Sequence, residues 1–232
     1  MADDHFENIY AHHAVEYEAL VTREDYEGRL PRALHNIARF NNAEVVEFGA
    51  GTGRLTVMLA PHVARIRAYD KSEHMLAVAR ARLERMGLAN WQTAAGDNRA
   101  LPVEDACADV AIEGWSFGHL MFTPSWQADI NAALGEMLRV ARPGGVAIVI
   151  ETMGTGSETP APPAEELRTL YQHLEEELGF SAMAIRTDYR FESLEEAERL
   201  ARFFFGDELA DRVLREKLLI LPECTGIWWN RH

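Results

Sequence analysis

Cysteine is scarce in this sequence: Cys107 and Cys224 are its two examples in 232 residues. Their spacing fits neither a metal-ligand pattern nor a disulfide framework, so thiol-bound metal and oxidative cross-links are not expected to organise the fold. Positive charge is also short. Lys and Arg number 23 against 37 Asp and Glu, a formal net charge of −14. Such a chain repels polyanions as a whole, and no run of Lys and Arg marks a local basic groove. That speaks against a nucleic-acid partner. No apolar stretch reaches the roughly 20 residues needed to span a bilayer, so no membrane insertion is expected. The opening "MADDHFENIY" is acidic and lacks the layout of a secretory signal, which points to the cytoplasm. Ligand-type residues occur at Asp3 to His5, but at a terminus they read as surface, and no metal site is expected.

What is present is apolar residue in quantity, 47% of the chain, enough for one substantial core. Residues 5–40 repeat apolar and aromatic side chains at helical spacing. From residue 44 the pattern changes to short apolar runs alternating with amphipathic helices. "VVEF", "RIRAYD", "WQTAA", "DVAIE" and "GVAIVIE" read as strands. Helices read over Arg54 to Ala60, from Ser72 (N-cap) to Gly87, and over "SWQADINAALGEMLRVA". Strands alternating with helices imply right-handed βαβ units and a doubly wound, mostly parallel sheet with helices on both faces. "TMGTGSETPAPP", residues 152–163, reads as a mobile loop. "FSAMAIRTDYRF" reads as one strand, Ser193 to Lys217 as helices, and "CTGIWW" as a terminal strand.

The chemistry is concentrated in "VVEFGAGTGRL". Gly49, Gly51 and Gly53 follow a strand and precede a helix, the turn that places a ligand at the carboxyl end of such a sheet. Arg54 follows Gly53, so the third small residue of the dinucleotide fingerprint is missing, and Gly-Lys-Ser/Thr of a P-loop is absent.

These residues resemble the first motif of the class I S-adenosylmethionine-dependent methyltransferases, and further motifs follow in order over residues 42–151. Asp70 ends the second strand, Asp97 follows the third, "DVAIEGWSFGHL" forms the fourth strand and its loop, and "LRVARPGG" precedes the fifth. The resemblance implies a Rossmann-like seven-stranded sheet with its last strand antiparallel, S-adenosylmethionine as cofactor, and a small-molecule methyl acceptor. It divides the single domain into an N-terminal helical lid (1–41), a cofactor-binding core (42–151) and a C-terminal part with substrate-side insertions (152–232).

The site residues it implies have physical sense. Glu47 attracts the cofactor's ammonium, aided by main-chain carbonyls at Glu113 and Gly114. Gly49, Ala50, Gly51 and Gly53 leave room for close approach. Asp70, with Lys71 beside it, accepts hydrogen bonds from the ribose diol. Asp97 and the backbone at Asn98 serve the adenine, with Met75 on its apolar face. Tyr17, seven residues after Tyr10 and expected on the same helical face, offers an aromatic cover. His119, just after the fourth strand, is the candidate base, with His12 and His13 behind it. Among Phe203, Phe204 and Phe205, one ring is expected to face a pocket. Methyl transfer to O, N or C is the reading; a protein that binds S-adenosylmethionine or S-adenosylhomocysteine without turnover, as a sensor or an assembly partner, is the alternative. A monomer and a homodimer are both left open.

Overall fold

The computed structural model describes residues 2–231, with side chains described from residue 5. The strands are β1 (Glu44–Phe48), β2 (Arg65–Asp70), β3 (Trp91–Ala95), β4 (Ala108–Gly114), β5 (Ala141–Thr155), β6 (Ser181–Arg186), β7 (Tyr189–Arg190), β8 (Ile220–Leu221) and β9 (Glu223–Arg231). The α-helices are α1 (Ala2–His12), α2 (Ala14–Val21), α3 (Arg29–Ile37), α4 (Arg54–Leu59), α5 (Glu73–Arg85), α6 (Trp126–Val140), α7 (Glu165–Gln172), α8 (Leu194–Phe205) and α9 (Asp207–Glu216).

Seven strands form one sheet in the order β3-β2-β1-β4-β5-β9-β6. Every pair from β3 to β5 is parallel, and β9 runs antiparallel to both β5 and β6. Successive side chains of a strand point to opposite faces, and both faces are apolar. Val46, Phe48, Ala111 and Val149 pack with Leu134, Met137 and Leu170 of α6 and α7. Val45, Val110, Ile112 and Ile148 pack with Leu34, Leu59 and Leu83 of α3, α4 and α5. A slip of one residue would exchange the two sets, so the helix faces and the strand register fix each other. A third cluster joins Leu20 of α2 to Leu200, Ala201, Ala210 and Val213 of α8 and α9 and to Tyr189 and Leu221. It forms a cap over the carboxyl ends of the strands.

Three local expectations are corrected. The helix expected across residues 5–20 breaks at His13, whose φ of −128° and ψ of 34° are not helical. Residues 152–155 continue β5 rather than starting a loop: Thr152 and Thr155 pair with Thr225 and Glu223 across a register shift that absorbs Gly154. "FSAMAIRTDYRF" is two strands. β6 stays in the main sheet, while β7 turns away to pair with β8. Among the described residues, no helix is long and apolar enough to cross a membrane.

Candidate functional site

The order of the sheet reverses between β1 and β4, and ligands of open α/β sheets bind outside the strand ends at such a point. The loop from β1 to α4 lies there. Gly49 has φ +64° and stands against the loop after β4, where a Cβ would fall 2.0 Å from Ser116 Oγ. No side chain fits. Gly51, φ +55°, is different: the nearest atom to an added Cβ is Met75 Cε at 3.5 Å, an ordinary van der Waals contact without a clash. Gly53 turns inward and lets α4 approach Ala79 of α5, where a Cβ would come within 2.9 Å of the alanine Cβ.

Asp70 ties this loop to α5. Its Oδ2 accepts the Gly51 N–H at 2.8 Å, and its Oδ1 accepts the Ser72 N–H at 2.7 Å. Ser72 then caps α5 by accepting the Met75 N–H. Burial pushes the Asp70 carboxyl up, against the two backbone N–H groups that favour its charged form. Each of its oxygens retains a lone pair for a further donor.

These residues enclose a cavity of about 270 Å³. Glu47, Gly49, Ala50 and Gly51 line one side, and Asp70, Lys71 and Met75 another. Asp97, Asn98, Gly114, Tyr17 and His119 complete the candidates that it brings together. Gly53 and Glu113 do not line it. The Glu113 carboxyl instead accepts the N–H groups of Ser116, Phe117 and Ile150, fixing the loop after β4 from behind. Among the described residues, no three metal-capable side chains converge. Asp3 lies outside the described side chains.

Glu47 is buried and its Oε2 accepts the Thr56 hydroxyl at 2.6 Å. Burial, and secondarily the charge of Asp70, raise its pKa to about 8. It therefore holds a proton near neutral pH. Asp97 is held the other way. Arg99 grips both its oxygens, at 2.9 and 2.6 Å, and keeps its carboxyl below the usual range; Arg99 also reaches Asp129 at 2.6 Å.

The N-terminal helices cover the cavity. The Ser72 hydroxyl donates to the Tyr10 carbonyl at 3.0 Å, and Arg82 links Glu18 of α2 to the Thr52 carbonyl in the glycine loop. Although His13 separates their helices, Tyr10 and Tyr17 pack edge to face with centroids 5.5 Å apart. The hydroxyl of Tyr10 lies 3.0 Å from His119 Nε2. Burial, then Tyr17, Glu151 and Asp70, push the Tyr10 phenol up, so it stays protonated beside the imidazole. His12 is exposed, and His13 packs on Phe203 away from the cavity.

Phe6, Tyr10, Tyr17, Arg54, Trp115 and His119 also line a second chamber of about 850 Å³. Phe204 and Phe205, two rings of the Phe triplet rather than one, face it. Sequence reasoning missed most of its polar lining. Arg54 lies 3.7 Å over the Trp115 ring and donates to Glu24 at 2.7 Å, while its Nη2 has no hydrogen-bond partner among the described residues. Its position directly after Gly53 was the available signal. Glu24 and Glu223 carried none.

Residues 45–145 match the family model described as a methyltransferase domain. The chain is 32% identical over 147 residues to the malonyl-[acyl-carrier protein] O-methyltransferase of Serratia marcescens, covering 63% of this chain and 50% of that protein. It is 30% identical over 124 residues to the demethylmenaquinone methyltransferase of Lactococcus lactis, covering 52% and 46%. The chain thus spans about half the length of these curated relatives. A solved SAM-dependent methyltransferase from Aquifex aeolicus superposes with a TM-score of 0.57 at 18% identity, over 88% of this chain and 93% of that one, and shares the fold. With the glycine loop, Asp70 and Asp97 gathered at the switch point of that sheet, the matches converge: residues 45–145 are similar to the methyltransferase domain family, on a sheet that shares the fold of a solved SAM-dependent methyltransferase.

Proposed function

We propose that the protein transfers a methyl group from S-adenosylmethionine to a small molecule held in the second chamber. The observation that carries this reading is the junction of the two cavities, which share Tyr10, Tyr17, Arg54, Trp115 and His119 as a common wall. A pure binder needs the first cavity alone. The donor set fits the cofactor: a buried acid at Glu47 for its ammonium, a free guanidinium nitrogen on Arg54 for its carboxylate, an acid at Asp70 for its diol, and the cavity itself before Gly51. Lys71 and Asn98 border the same cavity, as does Asp97 for the adenine amino group.

When bound, the cofactor supplies a methyl group already activated by a sulfonium. The protein's part is to align the acceptor and keep water out. The rings of Phe6, Tyr10, Tyr17, Trp115 and Phe204 form an apolar collar for that purpose. Where the acceptor must lose a proton, the Tyr10 hydroxyl can receive it while passing its own to His119 Nε2, 3.0 Å away. An amine attacking neutral needs no such relay. Of the relatives' names, demethylmenaquinone methyltransferase supports a small acceptor with an apolar body.

The test is release of S-adenosylhomocysteine when the protein and cofactor are incubated with a metabolite library. Acceptor-dependent release supports transfer. Tight cofactor binding with no release on any acceptor supports a sensor instead.

A further inference from the structure

The second chamber is chemically uneven. Its mouth lies among the exposed Phe122, Glu208 and Arg215. Its inner end carries Glu24 and Glu223, only 9% and 2% exposed. Each of these carboxyls has one oxygen in a short hydrogen bond, and the hydroxyls of Tyr189 and Thr155 stand beside Glu24 and Glu223 respectively. Glu24 Oε2 accepts from Arg54, and Glu223 Oε1 accepts the Thr152 hydroxyl at 2.9 Å. The other oxygens, Glu24 Oε1 and Glu223 Oε2, are buried and have no hydrogen-bond partner among the described residues. Glu24 lies near enough to raise the Glu223 carboxyl, whose pKa burial already lifts, to about 8. Unpaired acceptors at the end of a cavity call for a donor from a ligand.

Each cation around the chamber already has a carboxylate partner, which for Arg54 is Glu24 itself. Arg54 pairs with Glu24 and stacks on Trp115 in the wall shared with the cofactor cavity. Arg212 donates to Glu216 and to the Gly156 carbonyl, and Arg215 reaches the same Glu216 from an exposed position. A third buried acid, Glu151, adds to the excess of acceptors in the lining. An anionic head placed here would face acids. A cationic head would be paired and hydrogen-bonded, which burial of a charge requires.

We propose that the second chamber takes an apolar, ring-bearing amine, its ammonium anchored by the free oxygens of Glu24 and Glu223 and its ring against Trp115, Phe204 and Phe205. The ammonium is the anchor and not the attacking atom, because attack needs a lone pair that the bound proton occupies. This assignment deepens the methyltransferase reading and rests on it only for calling the chamber the acceptor site; the chamber's own preference is measurable without turnover.

The experiment is calorimetry on protein loaded with S-adenosylhomocysteine, the loading being measured first. Naphthylethylamine, naphthylethanol and naphthylacetate are then titrated in turn. The amine is expected to bind at least about tenfold more tightly than either isostere, as a charge-assisted, buried pair demands. Glu223→Gln and Glu24→Gln are each expected to narrow that gap, and Glu223→Gln is expected to leave S-adenosylhomocysteine affinity unchanged, whereas Glu24→Gln also frees Arg54 in the shared wall. An amine that fails to bind, or binds no better than naphthylacetate or naphthylethanol, overturns the proposal. So does an undiminished gap in both variants. If a variant fails to fold, the comparison of the three probes on the wild-type protein still decides. Failure of the loading step counts against the cofactor reading and leaves the chamber's preference to be scored on the unloaded protein.

Discussion

The carboxylate of Asp70 accepts the backbone N–H of Gly51 at 2.8 Å, joining the end of β2 to the loop that follows β1. One residue thus shapes the glycine loop and, on the proposed reading, offers its remaining lone pairs to the cofactor's ribose. Asp70→Asn keeps the size and one acceptor oxygen but loses the charge. It should weaken S-adenosylhomocysteine binding by about 2 kcal/mol, roughly 30-fold, the scale of one charge-assisted hydrogen bond. Asp70→Ala should also lower the melting temperature, because the N–H groups of Gly51 and Ser72 lose their acceptor. Calorimetry and a thermal melt on both variants check the two effects separately; equal affinity in Asp70→Asn would place the ribose elsewhere.

Gly51 separates ligand obstruction from folding. A valine there meets Met75 without a clash at its Cβ but must adopt φ +55°, a left-handed backbone that costs an L residue about 1–2 kcal/mol. Gly51→Val should melt several degrees lower, with roughly 2–4 °C expected per kcal/mol in a chain this size, and should bind no cofactor. A variant that melts lower yet binds normally would show that the loop does not approach the ligand.

Stability should fall as pH rises through neutrality. Burial raises Glu47 and Glu223 to about 8 and Glu151 to about 7. Each folded-state pKa exceeds the unfolded value of about 4.3, so the native state holds more protons than the unfolded chain between those limits. The stabilisation is complete below the unfolded pKa and is lost as pH passes the folded one, at up to about 1.4 kcal/mol per pH unit for each proton. Melting temperature should therefore decline from pH 6 to pH 9, and Glu47→Gln should flatten the upper part of that decline. A melting temperature rising over this interval would mean that these carboxyls are ionised in the folded protein.

Cofactor product should slow amide exchange across residues 8–20. Tyr10 and Glu18 tie the first two helices to Ser72 and Arg82 beside the glycine loop, so a ligand beneath them steadies both layers. Residues 152–155 should already be protected without ligand, since Thr152 and Thr155 are paired with β9. Unchanged exchange over 8–20 on saturation would remove the lid from the account.

The sheet was legible because parallel strands buried on both faces read as apolar runs, as "VAIVI" does in β5. The turn from β1 into α4 was legible because only glycine tolerates the contact between Gly49 and Ser116. Other features were hidden for physical reasons. Gly154 signals a loop, yet it sits in a bulge that lets β5 run on beside β9. The spacing of Tyr10 and Tyr17 predicted a shared helical face; they meet across a break at His13 because tertiary packing brings the two helices together. Glu24, Arg54 and Glu223 converge from distant parts of the chain. An isolated glutamate in a chain with 37 acidic residues gives no sign that it will be buried.

The central claim is that the cavity beneath Tyr10 and Tyr17 holds S-adenosylmethionine, with Glu47 on its ammonium and Asp70 on its ribose. Titration calorimetry with S-adenosylhomocysteine at pH 7.5, repeated in buffers of different ionisation enthalpy, tests it most directly. The account predicts one site of micromolar-range affinity and net proton release on binding, because Glu47, with a pKa of about 8 in the unliganded protein, must ionise to pair with the ammonium. No binding to the folded protein, or binding without proton release, would contradict it.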